Sequence, residues 1–138
     1  MIQSINPSTG DLIKTYDAYS SEEVGRKIDS AHLEYKNWKS VGFLERKDIF
    51  TNIANALEND LETHAQMIST EMGKPIKESR MEVSKCAWVI RFFADNTEEF
   101  LSDESVETDY NKSYIQYDPL GVILGIMPWN FPYWQVFR

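Results

Sequence analysis

The stretch "PLGVILGIMPWNFP", Pro119 to Pro132, decides the fold. From Leu120 to Trp129 it is almost continuously apolar, the pattern of a strand covered on both faces rather than one open to water on one side. Such a strand belongs in a parallel sheet, whose neighbours arrive through crossovers of about a dozen residues or more. Only the nine residues from Asn130 to Arg138 follow Trp129. The expectation is the leading, truncated part of a larger α/β protein, with its first buried parallel strand and the loop after it at 120–138.

Upstream, "KSYIQYD" alternates, Ile115 and Tyr117 on one face against Tyr114 and Gln116 on the other, as a strand exposed on one side does. Before it come three predicted helices. Ser20 and Glu23 form a capping box for the first, which carries Val24, Ile28, Ala31, Tyr35 and Trp38 at spacings of three and four. The second starts near Phe43, carries Phe50, Ile53, Leu57, Leu61, Ala65 and Ile68, and stops at Gly73 and Pro75. It is predicted as one helix of about 28 residues, roughly 40 Å long. The third has Val83, Ala87, Ile90, Ala94 and Leu101 on its stripe, widened by Trp88 and Phe92. At the start, "INPSTGDLIKTYDA" sets a Pro-Ser-Thr-Gly turn between two short apolar runs and predicts a hairpin. Hairpin plus helices make up 1–110, a short strand segment 111–119.

Composition narrows the function. The chain has 138 residues, 42% of them hydrophobic, with 22 acidic against 14 basic side chains and a formal charge of −8. That is enough for one domain, and the negative field repels phosphate backbones and anionic lipid, so neither nucleic acid nor membrane is an expected partner. The acidic run from Asp95 to Asp109 reads as a solvated helix end and loop. One cysteine allows no internal disulfide and suits a reducing, cytoplasmic setting. No charged and then apolar leader opens the sequence, and no apolar run approaches a membrane span.

Few residues suggest chemistry. Gly121 and Gly125 do not make a GxGxxG fingerprint, and His32 and His64 have no partner at metal-ligand spacing. Cys86, inside a helix beside Ala87 and Trp88, reads as an inert core thiol. Asn130 is more informative, because Pro128 and Pro132 stiffen the backbone on either side and aim its amide in one direction. Two readings stand. In one the amide staples the strand end to a neighbouring backbone carbonyl; in the other its NH2 points into a cleft beyond the carboxyl end of the strand as an oxyanion donor.

The string "GVILGIMPWNFP" resembles the signature that leads into the active site in the aldehyde dehydrogenase superfamily. "NPSTGDLI", "EMGKP" and "KCAW" occur in that family's order, and the resemblance covers essentially the whole chain. It implies the helical part and first strand of a Rossmann-type cofactor-binding domain. It further implies an NAD- or NADP-dependent oxidation of an aldehyde through a cysteine thiohemiacetal, with Asn130 donating to the adduct's oxygen. Ile126, Met127, Pro128 and Trp129 would then line the cofactor cleft, and Phe131 the substrate channel. Arg138 matches the position where succinate-semialdehyde dehydrogenases hold the far carboxylate of their substrate; the alternative reading is a solvated cation. The segment 111–119 resembles the family's oligomerisation strand, which implies a dimer or tetramer. The family's nucleophilic cysteine, general-base glutamate and Gly-rich turn have no counterpart in residues 1–138, so the chain alone is expected to be inactive. The competing expectation is a noncatalytic helical module that pairs with a partner through its terminal strand.

Overall fold

A computed structural model describes residues 1–138. The expected hairpin is there: β1 (Ile2–Ile5) pairs antiparallel with β2 (Leu12–Tyr16). Its turn is closed by side chains, Asn6 Oδ1 accepting from the Ser8 N–H at 2.9 Å and Thr9 Oγ1 from that of Asp11 at 3.2 Å. Helix α1 (Ser21–Trp38) begins at the capping box read from the sequence. The Glu23 N–H donates to Ser20 Oγ at 3.2 Å, and the Ser20 N–H donates to Glu23 Oε2 at 2.7 Å. Those bonds, the backbone one first, hold the Glu23 carboxyl below its ordinary pKa.

The long second helix is two helices, α2 (Phe43–Asn59) and α3 (Leu61–Met72). They meet at Asp60, whose φ of −106° and ψ of 23° leave the helical well. Asn59 and Asp60 are short polar residues of low helix propensity, and neither side chain caps α3; only backbone bonds, from the Asp60 N–H to the Ala56 carbonyl and from the His64 N–H to the Asp60 carbonyl, run across the break. The apolar spacing from Leu57 through Leu61 to Ala65 runs on across the break, which is why the pattern concealed it. As expected, α3 ends at Gly73, in the left-handed region at φ 75°. A Cβ there would come within 3.1 Å of the Pro7 ring, so the same glycine also lets the hairpin turn approach the helix end.

Helix α4 (Ile76–Leu101) is the spine of the molecule and packs against α2, α3 and the terminal α5 (Trp134–Phe137). Ala54, Leu57, Ile68, Val83, Cys86, Ala87 and Ile90 form the core between them. Trp88 does not widen the buried stripe. It is 61% exposed and stacks on Phe92 along the outer side of α4, because the buried face is taken by Val83, Cys86, Ala87 and Ile90.

The apolar positions of α1 are uncovered, with no residue of that helix buried. A second ribbon pairs β3 (Glu104–Ser105) with β4 (Tyr114–Ile115). The strand expected around Tyr114 is thus two residues long, and its partner comes from the acidic run. The parallel strand predicted at 120–129 is not formed: Leu120 to Met127 has no strand pairing, and Leu120, Leu124 and Ile126 are 92%, 86% and 86% exposed. No strand among these residues lies beside it, so its backbone has no ladder to join and its side chains no layer to enter. Tyr35 steadies its start, donating from its hydroxyl to the Pro119 carbonyl at 3.2 Å.

Candidate active site

The chain turns at Trp129 and Asn130 before entering α5. Asn130 is exposed, and its side-chain amide makes no hydrogen bond within the chain. Within these residues the amide staples no carbonyl, and the loop is held through its backbone instead. The Lys74 ammonium donates to the Asn130 carbonyl at 3.1 Å and sits 3.8 Å from the centre of the Phe131 ring. Lys74 is also ion-paired with Glu82, both side chains almost wholly buried at 6% and 2% exposure. The other Glu82 oxygen, Oε1, accepts from the Tyr133 N–H at 3.0 Å and the Trp134 N–H at 3.1 Å. A third tether joins the Tyr133 hydroxyl to His64 Nδ1 at 2.9 Å.

Neither Lys74 nor Glu82 was singled out by the sequence reading as a functional residue. A signal existed for Glu82: it lies one turn before Cys86 on the buried stripe of α4, where a carboxylate needs a partner. The partner could not be read from spacing, since Lys74 lies on the connection between two helices.

Beside this loop, α4 and α5 enclose a cleft of about 680 Å³, lined among others by Met81, Lys85, Phe131, Trp134, Gln135 and Arg138. The Lys85 ammonium lies 4.0 Å from the Trp134 ring centre. Thus the structure brings Phe131 and Arg138 to one cleft, next to the turn that carries Asn130. Ile126, Met127, Pro128 and Trp129 are all exposed on the approach to that turn, Trp129 at 75%. They form an exposed apolar stretch leading into the turn. Cys86 is not part of the site. Burial, reinforced by the Glu82 carboxylate, pushes its thiol up to about 12.

Comparison with known proteins gives this geometry its setting. The profile of the aldehyde dehydrogenase family matches residues 1–138. The chain belongs to the aldehyde dehydrogenase family. It is 46% identical over 137 residues to a probable NADP(+) succinate-semialdehyde dehydrogenase of Synechocystis, an alignment covering 99% of this chain and 30% of that protein. It is 38% identical over 140 residues to the NADP(+) succinate-semialdehyde dehydrogenase 1 of Mycobacterium tuberculosis, covering 99% and 31%. The crystal structure of succinic semialdehyde dehydrogenase from Streptococcus pyogenes with NADP+ superposes with a TM-score of 0.92 at 35% identity, over 98% of this chain and 30% of that one. The chain thus spans about 30% of the length of the relatives it matches, and its fold is that of the N-terminal part of an aldehyde dehydrogenase. No helix is long and apolar enough to cross a membrane.

Proposed function

We propose that this aldehyde dehydrogenase segment is the N-terminal portion of an enzyme that oxidises an aldehyde bearing a distal carboxylate, succinate semialdehyde foremost, with NADP or NAD. The observation that carries the reading is the Asn130 amide, exposed and unbonded on a backbone held at both ends, beside a cleft that contains Arg138. A cysteine from outside these residues attacks the aldehyde carbon, and the carbonyl oxygen takes up the electron pair. The Asn130 NH2 donates to that oxygen as its charge develops. Ile126, Met127, Pro128 and Trp129 form the apolar wall of the cofactor cleft. A nicotinamide, when bound, would supply the acceptor for the hydride that leaves the aldehyde carbon as the adduct becomes a thioester, which water hydrolyses to the carboxylic acid.

Phe131 flanks the route to the reacting carbon, and the Arg138 guanidinium grips the far carboxylate through paired hydrogen bonds. The segment 111–119, with its short β4 strand, serves in assembly of a homo-dimer or tetramer. A reducing cytoplasm suits the single buried thiol. The 138 residues alone do not turn over aldehyde, because Cys86, their one cysteine, is enclosed by the core and held as the thiol.

The test joins residues 1–138 to the rest of the Synechocystis relative, in place of its matching 30%. Aldehyde-dependent NADPH formation is expected from this hybrid and not from the 138 residues alone. Arg138→Ala should raise KM for succinate semialdehyde by about 10-fold or more, as losing a charged hydrogen bond of about 1.5–3 kcal/mol implies, and leave that for butanal unchanged. An equal effect on both aldehydes would remove Arg138 from carboxylate recognition.

One observation favours a second reading, a noncatalytic module that pairs through an open strand: Leu120 to Met127 is unpaired and exposed. An inactive but correctly folded hybrid, together with a 138-residue chain that self-pairs through this segment, would support it.

A further inference from the structure

We infer that the buried Lys74–Glu82 ion pair is the device that positions the Asn130 amide, so that both residues govern the rate of oxidation without touching substrate. The inference rests on the proposed role of Asn130 as donor to the carbonyl oxygen.

Its grounds are where the bonds of the pair go. Burying two charges is costly, and an ion pair in a core gives little net stability over apolar residues of the same volume. Stability therefore does not explain it. Each partner spends its remaining hydrogen-bonding capacity on one short loop. Lys74, on the connection between α3 and α4, holds the Asn130 carbonyl and lies over the Phe131 ring. Glu82, from the middle of α4, takes the N–H groups of Tyr133 and Trp134. Pro132 has no N–H to offer, so these are the first backbone donors beyond Phe131. The loop is gripped before and after the proline by two ends of one ion pair.

The consequence falls on the single polar side chain that this grip leaves unengaged. With the Asn130 carbonyl held by Lys74 and the next N–H donors held by Glu82, the backbone that carries the amide is restrained on both sides. An oxyanion donor works only if it is already in place when charge develops, and a displacement of about 1 Å costs on the order of 10²-fold in rate. Glu82→Gln keeps the size of the side chain and turns an amide NH2 toward either the Lys74 ammonium or the two N–H donors, which breaks the grip. Lys74→Met keeps the stem and removes the donor.

The test is a double-mutant cycle in the active hybrid, with kcat and KM measured separately. Asn130→Ala should lower kcat about 10²–10³-fold. Glu82→Gln alone should lower kcat on the order of 10²-fold with little change in KM for aldehyde. In the Asn130→Ala background Glu82→Gln should lower kcat no further, because it acts through the amide that is already gone. Lys74→Met should behave like Glu82→Gln, and Lys74→Arg, which keeps charge and donor, should recover most of the loss. Multiplying effects in the double variant would overturn the inference and leave the role of Asn130 standing. An Asn130→Ala hybrid as active as its parent would instead overturn the proposed function itself. A folding failure of the Glu82 variant leaves a second measurement on the 138-residue chain. There Lys74→Met should shift the backbone amide resonances of 130–134 and leave those of α2 in place. Unmoved resonances at 130–134 would overturn the inference on their own.

Discussion

At the scale of single residues, two side chains with reactive groups occupy opposite environments. Asn130 is open to water and unpaired, while Cys86 is enclosed and has a thiol raised to about 12 by burial and by Glu82. The second fact fixes a pH dependence. A thiol whose folded value lies above its ordinary value of 9.0 stabilises the fold fully at lower pH. That contribution is lost as pH rises from about 9 toward 12, because the unfolded chain releases the proton first. The expected slope is at most about 1.4 kcal/mol per pH unit. Urea unfolding of the chain and of Cys86→Ala at pH 8 to 10 would measure it, the slope being shallower in the variant. Native Cys86 should also resist a thiol reagent until the chain unfolds. Sequence position was enough to read Cys86 as buried, a mid-helix cysteine among apolar neighbours, whereas for Asn130 it left two readings of the amide open. The engagement of the Asn130 carbonyl was not legible, because it depends on Lys74, far away along the chain.

At the scale of elements, local signals were legible and tertiary ones were not. The capping box at Ser20 and the stop at Gly73 need only neighbours in sequence, and both are in place. The break at Asp60 and the pairing of β3 with β4 left no sign in the periodic pattern, which runs across the first and ends before the second. Gly73 and Gly25 offer a contrast in sign. Gly73→Ala meets both a positive φ and the Pro7 ring at 3.1 Å, and should cost about 1–2 kcal/mol or more. Gly25→Ala, inside α1 with nothing within 4 Å of the added Cβ, should stabilise by about 0.5–1 kcal/mol. Thermal unfolding should move Tm down in the first variant and up in the second. A rise in Tm for Gly73→Ala would mean that the hairpin does not dock on the end of α3.

At the scale of the molecule, only 12 of 138 residues are buried, so the core along α4 leaves most of the apolar surface uncovered. The open surface is organised. It comprises the outer face of α1, the aromatic row of Trp88, Phe92 and Phe100 on α4, and the ribbon from Leu120 to Met127. The sequence pattern of that ribbon predicts a buried strand, and the ribbon is instead unpaired and exposed, because these residues supply no neighbouring strand. A chain spanning about 30% of its relatives' length is expected to expose what the remainder of the family fold covers. Hydrogen exchange at the backbone amides of 120–127 tests this most directly, measured in the 138-residue chain and again in the active hybrid. The account predicts fast, unprotected exchange in the chain alone and strong protection in the hybrid. Protection already complete in the chain alone would contradict it.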